Sequence, residues 1–338
     1  MVANHRRSTL RDVAQRAGTT IPTASKVLSG RSDVSDETRV AVLQAVAELE
    51  YRRPSGRAIA TSGHEPPTID LVISGIEGTW ANRALSGVEK AAVEAGVDLI
   101  VSVARLPDEG WLTRMLARPS RGAVLALVNA SASHLAALQA TGIPVVLMDP
   151  VTQPPASVSS VGATNWAGAH LAARHLLDLG HRRLAVIAGR REQLYSQARV
   201  DGFRSTVAVY GDLPVPRVAH ADWRVDRARQ AATELFREAD RPTGVFACSD
   251  QMALGVYEAA EACGLRIPED VSVIGFDDLP EGDWVRPRLT TIEQPIADMG
   301  ASALRLLLRL SADPTLPTQR EELSTRLLLR ESTALAPA

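Results

Sequence analysis

The hydrophobic pattern near the start of the chain predicts two short helices separated by a tight turn. The stretch TLRDVAQRAGTTIPTASKVLSG begins at Thr9. Apolar residues follow Leu10 at i+3, i+4 and i+7, which places them on one face of a helix that Thr9 or the serine before it caps. Gly18 suits the position just past the end of that helix. A second helix is predicted with Thr20 as its cap and Pro22 in its first turn, where a missing N–H costs nothing.

A third helix is predicted from Ser35 to Tyr51, because two helices this short cannot bury their apolar faces alone. Acidic residues follow Ser35 as in a capped first turn, and an apolar stripe of valines and leucines comes after them. A compact three-helix unit with a small polar outer face is typical of a helix-turn-helix, whose second helix enters the DNA major groove. We therefore predict a DNA-binding domain over residues 1–51. Residues 52–67, RRPSGRAIATSGHEPP, predict a hinge and linker.

From residue 68 the pattern changes, and short apolar runs alternate with amphipathic stretches. Strands are predicted at Ile69–Ser74, Asp98–Ala104, Gly122–Val128, Pro144–Asp149, Arg183–Ala188, Arg217–His220, Gly244–Cys248 and Val271–Phe276. Helices are predicted near Ala81–Ala95, Trp111–Ala117, His134–Ala140, Trp166–Leu179, Ser196–Val209, Val225–Ala239, Gln251–Cys263 and Ile296–Leu310. Apolar strands that alternate with helices indicate parallel sheets covered on both faces. Eight such units suit two doubly wound α/β lobes better than one wide sheet.

Composition is that of an ordinary globular protein with two or three domains. The 338 residues include no apolar run of the roughly 20 residues that a bilayer span needs. The N-terminus is polar and basic and lacks the apolar core of a signal peptide. Cys248 and Cys263 are the only cysteines, so neither a disulfide framework nor a CxxC zinc pair is available. We expect a cytoplasmic protein with no metal, no cofactor and no membrane partner.

The charge distribution is more informative than the net charge of −2. Residues 1–63 carry ten Lys or Arg and six Asp or Glu, so this part has a net charge of +4 and the rest about −6. A basic N-terminal region on an acidic remainder indicates that residues 1–63 contact phosphate groups and that the rest of the chain does not. The chain contains no GxSxG, P-loop or strand-linked GxGxxG motif, and nothing in it predicts an enzyme.

The motifs resemble those of the lactose-repressor (LacI) family over nearly the whole chain. The matching segments are LRDVAQRAGTTIPTASKVLSG, VSDETRVAVLQAVAELEY, GVEKAAVEAG, RGAVLALV, IPVVLMD, HLLDLGHRRLAVIAG, ARVDGF, FACSDQMALGVYEAAEACGLRIPEDVSVIGFDD and LTTIEQP. The resemblance implies an all-α helix-turn-helix head, a hinge helix and a two-lobed core like the periplasmic sugar-binding proteins, over residues 68–338. It implies an N-lobe of about 68–164 and 296–323, and a C-lobe of about 165–292 and 324–333. Family members are cytoplasmic regulators, usually homodimers, that bind palindromic operator DNA and respond to a small effector.

Carried over by position, the resemblance assigns the reading of DNA bases to the second helix. Ile21 can touch a thymine methyl group, Pro22 donates no hydrogen bond, and Lys26 suits the acceptor edge of guanine. The residues suited to phosphate contacts are Thr20, Thr23, Ser25 and Ser29. In the alternative interpretation, Ile21 and Pro22 only cap and pack the start of the helix.

The hinge departs from the pattern that the resemblance implies. Relatives commonly have proline two residues after the tyrosine, whereas Pro54 is three residues after Tyr51 here. The position of the leucine that wedges into the minor groove holds Ala60, with Ile59 beside it. Opening a base step needs a bulky apolar side chain, so either Ile59 substitutes for the leucine or this protein bends DNA less. Arg57 suits a narrow minor groove or a phosphate.

The resemblance also places an effector site between the lobes. Its positions map onto Asp149, Arg199, Trp223, Ser249, Asp277 and Gln294, with Glu77 and Trp80 after the first strand of the core. Indole rings stack on the C–H faces of a sugar, while Asp277 and Arg199 suit its hydroxyl groups. Each residue alone has a structural alternative, since a tryptophan often belongs to the core and a strand-end aspartate such as Asp250 often caps a helix.

These observations predict a transcriptional repressor of sugar-utilisation genes whose DNA affinity is controlled by a sugar. We expect a homodimer that places two heads on the half-sites of a pseudo-palindromic operator, and an association with the nucleoid when DNA is bound. One alternative is a solute-binding protein or enzyme of the sugar-binding fold with a vestigial head. Another is a regulator whose effector strengthens DNA binding, because the sequence does not determine the sign of the coupling.

Overall fold

The computed structural model describes residues 8–28, 34–49, 51, 67–105, 110–211 and 213–337. The head consists of α1 (Leu10–Arg16), α2 (Ile21–Leu28) and α3 (Asp36–Glu48). Thr9 caps α1 in a capping box with Asp12, and the hydroxyl of Thr20 accepts a bond of 3.3 Å from the N–H of Thr23 in α2. Gly18 is left-handed, with φ of 64°, as expected past a helix end. The three predicted helices of the head are therefore confirmed.

One sheet has the strand order β11-β5-β4-β3-β1-β2, and we call it with its flanking helices the N-lobe. Its strands are β1 (Thr68–Ile73), β2 (Asp98–Val103), β3 (Ala123–Ala126), β4 (Val145–Met148), β5 (Ser159–Ala163) and β11 (Arg320–Leu323), all paired in parallel. The helices α4 (Thr79–Ala95) and α12 (Ile296–Ala312) cover one face, while α5 (Gly110–Leu116) and α6 (Ala132–Ala140) cover the other.

The second sheet, in what we call the C-lobe, has the order β12-β10-β9-β8-β6-β7. Its strands are β6 (Leu184–Ala188), β7 (Arg217–His220), β8 (Gly244–Ala247), β9 (Ser272–Asp277), β10 (Thr290–Glu293) and β12 (Arg326–Leu328), of which only β12 pairs antiparallel. The helices are α7 (Asn165–Asp178), α8 (Leu194–Ala208), α9 (Val225–Phe236), α10 (Asp250–Ala262) and α11 (Glu281–Trp284). The chain passes between the sheets three times, after β5, β10 and β11.

All eight strands and all eight core helices predicted from the hydrophobic pattern are present, with ends within three residues. The pattern missed β5, β10, β11, β12 and the single-turn α11. These strands are three to five residues long, and β11 and β12 lie at sheet edges, where partners distant in the chain determine their conformation. The head packs against the N-lobe end opposite the crossovers, where Ala140 joins the apolar cluster of the head. None of the described helices is long and apolar enough to cross a membrane.

His181 is a buried ring that fastens the C-terminal segment to the C-lobe. Its Nε2 donates to the backbone oxygen of Ala334 at 3.1 Å, and its Nδ1 lies 3.0 Å from the hydroxyl of Thr243. Burial is the main cause that lowers the pKa of His181 below its usual value. The folded protein therefore holds this ring neutral at a pH where the unfolded chain takes up a proton.

We expect the free energy of unfolding to fall as the pH decreases below about 6.5, by at most about 1.4 kcal/mol per pH unit for this one group. The buried carboxyl groups of Asp149, Asp250 and Asp277 have raised pKa values and act in the opposite direction, because the folded state keeps their protons longer. Urea unfolding of the wild type and His181→Gln between pH 5 and 7.5 separates the two effects. If the variant retains the same pH slope as the wild type, the histidine is not responsible.

Candidate functional site

The carboxyl ends of the strands in both sheets face a cavity of about 810 Å³ between the lobes. This is where ligands bind in doubly wound sheets. A second cavity, of about 910 Å³, lies where the head meets the N-lobe. Arg121 is the one charged residue among the described residues that line this second cavity, alongside Tyr51, Ala140 and other mainly apolar or small groups. The interlobe cavity is therefore the better candidate for recognition of a polar ligand.

Arg199 of α8 organises the floor of the interlobe cavity. It is 2% exposed, and its guanidinium lies 3.7 Å from the ring centroid of Phe276. Its Nη1 donates to the backbone oxygen of Cys248 at 2.5 Å and faces Oδ1 of Asp277 at 3.3 Å. Its Nε donates to Oδ1 of Asn165 at 2.8 Å. Contacts in four directions hold the guanidinium at one position and in one orientation.

Gln294 connects this arginine with the N-lobe. Its Oε1 accepts a bond of 3.2 Å from Arg199 and one of 3.4 Å from the indole N–H of Trp80. Its Nε2 donates to Oδ2 of Asp149 at 3.4 Å. Gln294 is 1% exposed, and Asp149 and Trp80 line the cavity in front of it. The amide therefore positions groups from both lobes around one space.

Two buried carboxyl groups share the single guanidinium of Arg199. Burial raises the pKa of Asp277 to about 7, against the opposing attraction of Arg199 and reinforced by repulsion from Asp149. Burial likewise raises the pKa of Asp149, which Arg199 and Gln294 partly offset. Carboxylates that are costly to keep charged because they are buried gain most from a ligand that donates hydrogen bonds to them.

Aromatic rings form the walls of the cavity beside these charges. Trp80 lies on α4, and Trp223 lies in the loop after β7. The ring centroids of Trp223 and Tyr195, which lies on α8, are 5.4 Å apart. The indole N–H of Trp223 donates to the side chain of Gln193. Flat apolar faces next to fixed charged groups suit a ring that carries hydroxyl groups.

Backbone strain is concentrated at the same place. The described non-glycine residues with positive φ are Leu127, Asp149, Asp222, Trp223, Asp277 and Asp278. All of them except Asp278 line the cavity, and Asp278 is the next residue after Asp277. Such conformations cost about 1–3 kcal/mol each and cluster at ligand sites, where the surrounding structure enforces them. Their clustering makes this cavity a candidate ligand-binding site independently of its charges.

Trp223 occupies the space that a side chain at position 189 would need. A Cβ at Gly189 would lie 2.0 Å from a ring carbon of Trp223. We expect Gly189→Ala to displace the indole, to lower the free energy of unfolding by about 1–3 kcal/mol through overpacking, and to change the tryptophan fluorescence. Gly162→Ala is a matched control, because nothing lies within 4 Å of its added methyl group. Equal unfolding midpoints for the two variants would contradict the contact.

The structure places most of the predicted effector residues together. Asp149, Arg199, Trp223, Ser249, Asp277 and Trp80 line the cavity, and Gln294 lies directly behind them. Glu77 is different, since its exposed carboxylate pairs with Arg105 at the cavity rim and does not line the cavity. The assignment of these residues to effector binding remains a prediction.

The interpretation of Asp250 as a helix cap is wrong. The N-cap of α10 is Ser249, whose hydroxyl accepts a bond of 3.1 Å from the N–H of Met252. Asp250 is the first helical residue, and its fully buried carboxyl group accepts from the N–H of Leu279 at 2.6 Å and from the hydroxyl of Thr291 at 2.5 Å. It therefore fixes the loop that follows β9 and begins at Asp278.

Sequence reasoning missed cavity-lining residues that come from helices and loops. They are Tyr195, Trp111, Asn129, His134, Arg105, Arg190 and Glu192 among others. Tyr195 lies one helical turn before Arg199, so helical spacing carried a usable signal for it. Trp111 and His134 follow different strands, and no local pattern joins them.

The head presents the predicted DNA-reading residues at its surface. Ile21 is 40% exposed, and Pro22 and Thr20 are also exposed. Lys26, Thr23 and Ser25 are half-buried on the same helix, opposite the buried Ala24, Val27 and Leu28. The assignment of Ile21 and Pro22 to the reading of DNA, and the alternative in which they only cap and pack the start of the helix, both remain predictions. The predictions for Ser29, Arg57, Ile59 and Ala60 fall outside the described residues.

Comparison with known proteins finds similarity over almost the entire chain. Residues 9–54 match the family described as bacterial regulatory proteins, lacI family, and residues 173–333 match a periplasmic binding protein-like domain. The ribose operon repressor of Halalkalibacterium halodurans is 32% identical over 96% of this chain and 97% of that protein. A solved CelR–cellobiose complex superimposes with a TM-score of 0.74 at 30% identity, covering 96% of this chain and 100% of that one. The lac repressor dimer bound to operator and the anti-inducer ONPF gives 0.73 at 27% identity, with coverages of 97% and 100%.

Proposed function

Because this chain belongs to the lacI family of bacterial regulatory proteins, we propose that it is a sugar-responsive transcriptional repressor. The observation that carries the proposal is the buried network of Arg199, Asp277, Gln294 and Asp149 between two tryptophans, in the same chain as a helix-turn-helix head. The relatives include a ribose operon repressor and a regulator in complex with cellobiose. We infer a role in binding and regulation rather than in catalysis.

The head binds operator DNA with α2 in the major groove. Ile21 and Pro22 offer apolar contacts at the exposed start of the helix, and Lys26 one turn later offers a charged donor for guanine. The hydroxyl groups of Thr20, Thr23 and Ser25 suit hydrogen bonds to the phosphates on either side of the groove. With one charged base reader in the described part of the helix, much of the sequence preference comes from phosphate positioning and DNA shape.

The protein acts as a homodimer that places two heads on a pseudo-palindromic operator, as the lac repressor does in its dimeric operator complex. Residues 1–51 form the DNA-binding domain, residues 52–67 the hinge, and the two lobes the effector-binding and dimerisation core. As a bacterial repressor of this family, the protein works in the cytoplasm and joins the nucleoid when bound to DNA.

The sugar controls DNA affinity by fixing the lobes relative to each other. Trp80 and Asp149 belong to the N-lobe, whereas Arg199, Trp223 and Asp277 belong to the C-lobe, so a ligand that touches both sets changes the free energy of the closed arrangement. Because the head contacts the N-lobe, a shift of the N-lobe relative to the C-lobe also changes the position of the head. Coupling of this kind is typically about 1–3 kcal/mol.

The test is an operator titration with the full chain, with and without each sugar of a panel of monosaccharides and disaccharides. We expect one sugar to change operator affinity by about 5- to 150-fold, in the direction of release for an inducer. Lys26→Ala weakens binding to the operator, while Lys90→Ala, an exposed lysine of α4 in the N-lobe, has no effect. The proposal fails if neither Lys26→Ala nor any sugar changes the affinity.

A further inference from the structure

The interlobe cavity is larger than one sugar ring needs. The chain has five tryptophans, and aromatic residues make up only 4% of it. Nevertheless, Trp80, Trp111 and Trp223 line this one cavity, together with Tyr195. Its volume of about 810 Å³ is near the upper end of the roughly 300–1,000 Å³ of pockets for drug-sized ligands. A single pyranose is smaller than such ligands and leaves part of the cavity unfilled.

The recognition groups form two clusters. The inner cluster consists of Trp80, Asp149, Arg199, Asp277 and Trp223, which the contacts of Arg199 and Gln294 described above hold together. It includes the charged groups and residues from both lobes. A ring bound here satisfies the charged floor of the cavity.

The outer cluster consists of Trp111, His134, Asn129 and Arg105, all from the N-lobe. The rings of Trp111 and His134 meet edge to face, with centroids 5.5 Å apart and planes at 73°. The backbone N–H of His134 donates to the hydroxyl of Ser131, which is the N-cap of α6. The ring Nδ1 of His134 accepts from the backbone N–H of Ser131 at 3.4 Å, so this capping box fixes the position of the histidine. Asn129 follows β3 and Arg105 follows β2, so both lie at the strand ends that open on the cavity.

The two clusters differ in the chemistry they offer. The inner cluster presents buried charges. The outer cluster presents the exposed amide of Asn129, the half-buried ring of His134 and the exposed guanidinium of Arg105, which pairs with Glu77, while Trp111 is 3% exposed and packs against the ring of His134. An amide and an imidazole can donate hydrogen bonds to hydroxyl groups or accept them, and a guanidinium can donate them. This combination suits a second sugar ring near the solvent.

We propose that the two clusters are two sugar subsites and that the effector is a disaccharide. This inference rests on the proposed function, since it requires a sugar in this cavity. The first ring lies between Trp80 and Trp223 against the charged groups, and the second ring lies against His134, which Trp111 holds in place, beside Asn129 and Arg105. The outer subsite selects the disaccharide over its component monosaccharide.

The test is isothermal titration calorimetry of the full-length protein with matched pairs of sugars. The pairs are glucose with cellobiose and with maltose, xylose with xylobiose, and galactose with lactose. We expect one disaccharide to bind at least tenfold more tightly than its own monosaccharide. A monosaccharide that binds as tightly as its disaccharide overturns the inference but leaves the proposed sugar-responsive repressor intact.

Variants of the outer cluster test which residues hold the second ring. Asn129→Ala and His134→Ala are expected to reduce the affinity for the disaccharide at least fivefold and to change that for the monosaccharide less than twofold. Gln139→Ala is the control, because it lies on the same helix as His134 but lines the other cavity. Trp111→Leu should likewise reduce the affinity for the disaccharide more than that for the monosaccharide. Because Trp111 is buried, circular dichroism is used to show that this variant folds.

The outcomes separate this inference from the function on which it rests. If the outer variants lower the affinities for both sugars equally, the two-subsite arrangement is wrong. If no sugar in the panel binds while operator binding is normal, the effector is not one of these sugars, and the disaccharide inference and the sugar effector fail together. If the wild-type protein binds a disaccharide but binds no operator DNA, the repressor function is contradicted and the disaccharide inference is not.

Discussion

Replacing Arg199 with methionine is expected to lower the free energy of unfolding by about 3–5 kcal/mol, the cost of removing one partner from a buried ion pair. The substitution removes the guanidinium donor from the carboxyl group of Asp277 and from the amide oxygen of Asn165, and it leaves the amide oxygen of Gln294 with the indole N–H of Trp80. It also removes the guanidinium that stacks on Phe276. Denaturation in urea, followed by circular dichroism, measures the change.

The matched control is Arg174→Met on the neighbouring helix α7. The side chain of Arg174 is 63% exposed, and its Nε lies 3.7 Å from Oδ2 of Asp178, one helical turn further along. Exposed pairs of this kind contribute about 0.3–0.5 kcal/mol. Arg199→Lys should lie between the two, because an ammonium group keeps the charge but cannot reach four acceptors as the planar guanidinium does. If Arg199→Met and Arg174→Met unfold at the same urea concentration, the buried network does not stabilise the C-lobe.

The two-lobed fold was predictable because its strands are buried on both faces. Sequences such as LAVIA in β6 and SVIGFD in β9 leave little ambiguity, since each is a short and mainly apolar run whose residues are all buried. The edge strand β11, REEL, has half of its residues exposed and no such signature. Pairing with β5, some 160 residues earlier, is what makes it a strand.

The candidate site was predictable only in part. Strand-end residues such as Asp149 and Asp277 follow recognisable runs, and parallel strands necessarily bring their carboxyl ends together. The roles within the site depend on distances that the sequence does not contain. Gln294 is a connector behind the cavity, Glu77 turns to Arg105 at the rim, and Asp250 fixes a loop rather than capping a helix. Trp111 reaches the cavity because α5 packs beside α6.

Asp277→Asn is expected to leave operator binding and the fold intact and to reduce sugar affinity by roughly 10- to 100-fold. Hydrogen bonds to a charged group contribute about 1.5–3 kcal/mol, and the amide removes that charge while it keeps the shape. The fold tolerates this change better than Arg199→Met, because Arg199 keeps the nearby charge of Asp149 and its hydrogen bonds to Cys248, Asn165 and Gln294, and because burial already raises the pKa of Asp277 to about 7. Calorimetry with the sugar found in the panel measures the affinity, and an operator titration shows a repressor that the sugar no longer controls.

The pH dependence of sugar binding distinguishes loss of this charge from a general distortion of the cavity. Since a sugar that donates to Asp277 favours the ionised form, binding in the wild type requires release of the proton held with a pKa of about 7. The ionised fraction rises from about a tenth at pH 6 to about nine-tenths at pH 8, so the affinity should rise about tenfold over that range. Asp277→Asn has no proton to release there and should bind with the same weak affinity at both pH values. A variant that keeps the tenfold rise would assign the titrating group to Asp149, whose pKa is also raised, and would contradict the role of Asp277 as the charged acceptor.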